Sequence, residues 1–180
     1  MGVDWIVIVE KSIFGAGAAL GFGILFNVPN RTLIYIALLG LTGVCLKNIA
    51  IGLNINIILA CFIGASAVGL LSMVASKSKH SPPLVFSIPG VIPMVPGIFT
   101  YKLMLGMIKL TGETGNNFDT SLDDTVSNGL KAIFILMALA VGVSMPNLIF
   151  RKESFHEMTI LSRMERRVKL PRKVKRRKRI

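Results

Sequence analysis

The sequence has few charged residues and few of the side chains that bind metals or form cross-links. Only 17% of its 180 residues are charged, and it contains two histidines and two cysteines. A soluble domain carries about a quarter of its residues as charges, so this low value argues against a soluble globular protein. More than half of the residues, 52%, are hydrophobic. This balance predicts an integral membrane protein.

The few cysteines and histidines occur in patterns that favour neither a disulfide nor a metal site. Cys45 and Cys61 lie inside apolar runs, which favours two small buried side chains over a structural disulfide. The stretch around His156 lacks the second histidine of a zinc-protease motif. The sequence also shows no nucleophilic and basic side chains at a spacing typical of a catalytic site. We therefore expect no metal, no cofactor and no enzyme activity.

Long apolar runs predict an all-α membrane protein with about five transmembrane helices. A spanning helix needs about 20 mostly apolar residues. The candidate spans are residues 5–26, 32–46, 55–75, 84–110 and 130–150. The second is short unless it continues to Leu53. Because Asp4 stands where a signal peptide would carry basic residues, we expect the first run to be a membrane span. Residues 1–150 would then form the transmembrane bundle.

The net charge of +12 is concentrated in the last 30 residues. Residues 151–180 contain thirteen Lys or Arg against three Glu. Next to a membrane span, such a tail favours contact with anionic lipid head groups over contact with nucleic acid. With five spans, the tail falls on the same side as Arg31, Lys77 and Lys79, opposite the acidic loop 111–125. Since basic loops stay in the cytoplasm, the sequence predicts an outer N-terminus and a basic cytoplasmic tail.

Small residues recur at helical spacing in three of the spans. The stretch "GAGAALGFG" in the first span is no phosphate-binding loop, because no strand precedes it. In a membrane helix, Gly17 and Gly21 instead form a GxxxG pair. Further small pairs are Gly15 with Ala19, Ala19 with Gly23, Ala65 with Gly69, and Ala138 with Gly142. These pairs predict close contacts between helices, either inside the bundle or with a partner subunit.

Glu10 and Lys11 are adjacent opposite charges within the first span. Glu10 shares a helical face with Gly17 and Gly21. Three interpretations remain open. The carboxylate lines a polar path, forms an ion pair with a neighbouring helix, or extends to the membrane interface.

The fourth span contains the unusual stretch "IPGVIPMVPG", residues 88–97. Each proline removes an amide donor, and each glycine relaxes the backbone. Carbonyls left unpaired near the bilayer centre must be buried in protein or face a water-filled cavity. Broken helices of this kind supply substrate sites in transporters, since the second half-helix offers free amides to an anion. A kinked but continuous helix is the open alternative.

We predict that the second half-helix starts near Pro96 and runs to about Leu110. Its N-terminal amides would meet the carboxylate of a solute near mid-membrane. The residues of this candidate translocation path are Pro89, Gly90, Pro93, Pro96, Gly97 and Tyr101, together with Glu10 and Lys11.

The chain resembles one known family in three stretches that occur in the same order: residues 21–40, 82–107 and 128–150. It closely resembles the small membrane subunit of the threonine/serine exporter family, the YjjB-like proteins. The likeness covers residues 5–150 and excludes the tail. Asn27, Pro29 and Arg31 of the predicted cytoplasmic turn are among the family-like positions, as are the proline run and Tyr101.

The resemblance implies a multi-pass protein of the bacterial cytoplasmic (inner) membrane that exports small metabolites. Family members are associated with export of threonine and serine or of succinate, and they work with a larger membrane subunit. We therefore expect a transport subunit for small amino or carboxylic acids. The competing hypotheses are a non-transporting membrane scaffold or assembly subunit and a membrane-anchored binder of RNA or acidic protein.

Overall fold

The computed structural model describes residues 4–79, 81–112 and 116–150, and this part of the chain contains helices and no strands. Its elements in chain order are α1 (Trp5–Leu25), α2 (Asn30–Gly52), α3 (Ile57–Lys79), α4 (Pro83–Val91), a 3₁₀ turn (Ile92–Met94), α5 (Gly97–Leu110) and α6 (Asn116–Phe150). The packing described below concerns residues up to Asn147, which belong to one compact unit. The basic tail, residues 151–180, lies outside the described residues.

Four helices are long and apolar enough to span a membrane: α1, α2, α3 and the stretch Phe118–Pro146 of α6. The segments Pro83–Met94 and Gly97–Leu110 form a fifth candidate span that bends by 54°. Each segment is about 20 Å long. Because the bend is well below 90°, the second segment continues in the general direction of the first. Together the two segments extend about 30 Å along that direction, which equals the thickness of the hydrocarbon core. The expected all-α membrane fold with an interrupted fourth span is confirmed.

The acidic stretch between the last two spans differs from the expectation of a loop. Helix α6 begins at Asn116, so residues 116–125 are helical. The sequence-based expectation was wrong because clustered Asp, Ser and Asn are typical of loops. In the structure, packing supports the helix: the side chain of Thr125 is buried, and it lies where a Cβ on Gly106 of α5 would be.

The first two connections are tight turns with the same geometry. Asn27 and Asn54 have φ values of 54° and 61°, in the left-handed region that asparagine tolerates. The amide of Val28 bonds back to the carbonyl of Gly23 at 3.1 Å, and Ile55 bonds to Ala50 at the same distance. These are Schellman motifs, which pair the last carbonyls of α1 and α2 and reverse the chain.

Small residues determine how closely the first three helices pack. A Cβ on Gly40 of α2 would lie 2.5 Å from Ala19, and one on Gly15 would lie 2.7 Å from Val44. Helices α2 and α3 meet at Gly43 and Val68 in the same way. The side chains buried here form one core with Phe86 and Met94 of the interrupted span. Large hydrophobic side chains such as Ile6 and Ile24 are exposed on the outside, as lipid contact requires.

Candidate functional site

The interruption of the fourth span is located at Val95 and Pro96. Val95 is extended, with φ −57° and ψ 135°, the conformation that a following proline imposes. Pro96 has φ −80° and ψ 62°, and the amide of Gly97 donates to the carbonyl of Val95 across it at 2.9 Å. This is an inverse γ-turn. Pro89 lies within α4 and Pro93 within the 3₁₀ turn, so Pro96 marks the actual break.

The N-terminus of α5 has no side-chain cap. Its N-cap residue is Pro96, whose side chain cannot accept a hydrogen bond. The amide and hydroxyl of Thr100 both bond back to the Pro96 carbonyl, at 3.2 and 3.1 Å. Within the described residues, the amides of Ile98 and Phe99 have no acceptor. A 14-residue helix therefore presents two free donors and its positive dipole end at the break.

A cavity of about 160 Å³ lies at this helix end. It is lined by Lys47, Ile57, Cys61, Met94, Val95, Pro96, Gly97, Ile98, Phe99 and Ile135. Lys47 of α2 is the single charged residue among them, and its side chain is half-buried. An ammonium group and the free amides of a helix N-terminus at one cavity are a suitable pair of partners for a carboxylate.

Met94 fixes one wall of the cavity. Its side chain is fully buried. Its sulfur lies 3.0 Å from the position of a Cβ on Gly64, and its methyl group lies 3.1 Å from a Cβ on Gly43. Because both neighbours are glycines, the side chain fits between α2 and α3 and anchors the end of the 3₁₀ turn there.

The structure distributes the predicted path residues over three environments. Pro96 and Gly97 line the cavity. Pro89 and Gly90 are buried, and a Cβ on Gly90 would contact Leu39 and Val68. The remaining members are half-buried or exposed and do not line the cavity: Pro93, Tyr101, Glu10 and Lys11.

Sequence analysis did not select Lys47, because the second candidate span, residues 32–46, ends one residue before it. Helix α2 extends from Asn30 to Gly52, so Lys47 is a charged residue inside a membrane helix. An ionisable residue within a span is a functional candidate by default, and the continuation of the second span to Leu53 would have revealed it. Its proximity to the break, however, depends on the packing of α2 against the interrupted span.

The small residues of the predicted packing pairs occupy different positions. A Cβ on Gly142 would lie 2.9 Å from Ala65, and one on Gly69 would lie 2.8 Å from the carbonyl of Val143, so α3 and α6 meet there. Ala138 is half-buried on α6. Gly17 and Gly21 face away from the bundle, and a Cβ on either meets nothing within 4 Å. The close contact of α1 with α2 uses Gly15 and Ala19 instead.

The predicted cytoplasmic turn joins α1 to α2. Asn27 provides its left-handed residue, and Pro29 is the N-cap of α2. Arg31 is exposed in the first turn of α2. At the same end of the bundle, the ammonium of Lys79 lies 5.2 Å from the ring centre of Tyr35, a cation–π contact between α3 and α2.

Comparisons with known proteins identify the group to which the chain belongs. The family model for "Threonine/Serine exporter, ThrE" matches residues 11–149. A similar relative is an uncharacterized protein of Haemophilus influenzae, 28% identical over 162 residues. That match covers 83% of this chain and 53% of the relative, so the chain spans about half the length of the relative. No solved structure matches significantly.

The family match begins inside α1 and ends in α6, so it includes most of the first candidate span, the other candidate spans and the cavity at the break. Helices of this length and composition form a multi-pass membrane protein. The chain belongs to the threonine/serine exporter family.

Proposed function

We propose that the chain is the membrane subunit of a secondary exporter for small amino or carboxylic acids, with no enzymatic activity of its own. The observation that carries this proposal is the cavity at the break, where Lys47 and the uncapped N-terminus of α5 meet. Both groups favour a carboxylate, which threonine, serine and dicarboxylates share. The interrupted helix is the arrangement that many secondary transporters use for binding solutes near the bilayer midplane.

The size of the cavity supports a small solute. Its volume of 160 Å³ is about five times the ~30 Å³ that one water molecule occupies in the liquid. Apolar side chains such as Ile57, Phe99 and Ile135 form the other walls. They would exclude large solutes, while the two polar groups orient the carboxylate.

A larger membrane subunit is the proposed partner, and the outer face of α1 is its proposed docking surface. Gly17 and Gly21 lie on the face of α1 opposite the buried residues Ala19 and Gly23. Glu10 shares this exposed face, about 8 Å inside the start of the helix. A carboxylate facing lipid at this depth is unfavourable, and a partner helix with a hydrogen-bond donor would remove that cost. Close approach at the two glycines would add van der Waals contact.

We further propose that the chain resides in the bacterial inner membrane with its N-terminus outside and its C-terminus inside. Arg31, Lys77 and Lys79 lie at one end of the bundle, and residues 151–180 follow the last candidate span in the sequence. The tail would then contact anionic lipids of the cytoplasmic leaflet. Deletion of residues 151–180 should change membrane abundance or orientation and leave export per molecule nearly unchanged.

The competing function is a non-transporting assembly subunit. The exposed Gly17 and Gly21 face favours it, since such a face is suited to holding a partner. Export of threonine, serine and succinate from proteoliposomes separates the two functions. The exporter proposal expects flux only when this chain and the larger subunit are both present, with lower flux at subsaturating solute concentration in Lys47→Gln. An assembly subunit would restore partner insertion and leave solute flux independent of Lys47.

A further inference from the structure

A second cavity, larger and more basic than the first, lies between α5 and α6. Its volume is about 450 Å³. The residues that line it are Lys102, Leu105, Gly106, Lys109, Ser121, Asp124, Thr125, Ser127, Asn128 and Lys131. We call it the basic cleft. Three lysines and one aspartate give its lining an excess of two positive charges.

The register of the two helices places two of the lysines at nearly the same level along the helix axes. Helices α5 and α6 run antiparallel, with Gly106 against Thr125 and Gly129 against Leu103. These two contacts put Lys102 and Lys131 within about 3 Å of the same level along the helix axes. Like charges at one level repel each other. Two such lysines are stabilised when an anion lies between them.

No carboxylate of the described residues neutralises this pair. Lys102, Lys109 and Lys131 form no ion pair within the part of the chain that the structure describes. Asp124 lies one or two turns further along, closer to the level of Lys109 than to that of Lys131. The amide group of Asn128 donates to the carbonyl of Asp124 at 2.7 Å, and the hydroxyl of Thr125 donates to the carbonyl of Ser121 at 2.6 Å. Among the described residues, these two polar side chains donate to backbone carbonyls.

The basic cleft lies about one helical turn from the cavity at the break. Ile98 and Ile135 line that cavity, and Lys102 and Lys131 line the cleft. Each lysine is four residues, one helical turn, from the corresponding isoleucine on the same helix face. A solute leaving the cavity along the α5–α6 groove therefore meets the paired lysines about 6 Å further on.

We propose that the basic cleft is a second anion-binding site. It prefers a small dianion with two carboxylates to a zwitterionic amino acid. A dianion neutralises the two excess charges, whereas a zwitterion brings an ammonium group into a field that is already positive. The passage of solute from the break to this site rests on the proposed function. The binding of a dianion at this site rests on the charges of the cleft alone.

Binding of succinate to the purified full-length chain in lipid nanodiscs tests the proposal. The background carries Lys47→Gln, so that binding at the break does not obscure the signal. We expect Lys102→Gln with Lys131→Gln to weaken succinate binding at least about tenfold, the usual effect of losing charge-assisted hydrogen bonds. Asp124→Asn should strengthen it, because it removes the negative charge from the lining. Lys77→Gln, at the far end of α3, is the matched control.

Three outcomes would overturn the inference. The first is succinate affinity that does not change in the double variant while its melting temperature equals that of the background. The second is serine binding as tightly as succinate. The third is loss of succinate binding when anionic lipid is added to neutral nanodiscs, with that lipid retained through Lys102 and Lys131, which would assign the cleft to a lipid head group.

The export assay keeps this inference distinct from the proposed function. Export that is independent of Lys47 would contradict the site at the break and leave the binding result for the basic cleft standing. Succinate binding that is independent of Lys102 and Lys131 would contradict the cleft and leave export through the break standing.

Discussion

Gly64 of α3 lies so close to the backbone of α2 that a Cβ at this position would be 2.7 Å from the carbonyl oxygen of Gly43. The same Cβ would lie 3.0 Å from the sulfur of Met94. Backbone cannot move aside as a flexible side chain can. The contact therefore fixes the distance between α2 and α3, and with it the position of the interrupted span that Met94 anchors.

Gly64→Ala should destabilise the purified chain. We expect a loss of about 1–3 kcal/mol, the usual cost of overpacking, because α2 and α3 must separate to admit the methyl group. Thermal or denaturant unfolding in detergent measures it. Gly17→Ala is the matched control, since nothing lies within 4 Å of its added Cβ. It should leave stability unchanged or raise it by up to about 1 kcal/mol, as Gly→Ala does in a helix. Equal effects of the two substitutions would contradict the packing described here.

Pro96→Ala should reduce the bend between α4 and α5. The substitution restores an amide donor at residue 96 and releases Val95 from its extended conformation, so that helical hydrogen bonds can continue across the break. Distances between spin labels at Leu84 and Ile108 should increase as the 54° bend decreases. Export should fall because the free amides of Ile98 and Phe99 are lost. Pro89→Ala, inside α4, is the control and should preserve both the bend and export. An unchanged bend in Pro96→Ala would show that packing, rather than the proline, maintains the break.

Lys47→Gln should weaken solute binding at the break. We expect about a tenfold rise in the solute concentration that gives half-maximal export, because a charge-assisted hydrogen bond is worth about 1.5 kcal/mol or more. Lys47→Arg should retain most of the activity, since it keeps the charge. Lys77→Gln, at the opposite end of the bundle, serves as the control. A normal half-saturation concentration in Lys47→Gln would exclude this lysine from the solute site.

Gly17→Leu with Gly21→Leu should prevent the larger subunit from associating while leaving the chain itself stable. The two leucines project into the open space beside α1, so they block a neighbouring helix without disturbing the internal core. Co-purification with the partner and the melting temperature of the isolated chain measure the two effects separately. Ala140→Leu, a small-to-large change at an exposed position of α6, is the control. Retained association in the double variant would place the partner on another face.

The number and type of the spans could be predicted from sequence, because hydropathy and proline content act locally. The break near Pro96 follows from the missing amide of proline, and the start of α5 at Gly97 agrees with that prediction. The acidic stretch before residue 126 was assigned wrongly because its composition is typical of loops, whereas its helix is supported by contact with α5.

The sequence did not show which face of each helix points toward lipid and which packs against the other helices. A small pair such as Gly17 and Gly21 has the same pattern as Gly15 and Ala19, yet one faces outward and the other packs against α2. In a membrane helix, apolar residues cover both the lipid-facing and the protein-facing sides, so hydrophobic periodicity gives little information about orientation.

The sequence by itself determined that this chain is a helical membrane protein with one interrupted span, since each span and the break depend on residues adjacent in the chain. Only the tertiary structure brought Lys47 of α2 to the N-terminus of α5, and Lys102 of α5 to the level of Lys131 of α6. These groups are far apart in sequence, and their proximity depends on the close contacts between helices at Gly43, Gly64 and Gly106. Such contacts depend on the surfaces of two helices at once, so a local sequence pattern in one helix does not predict them.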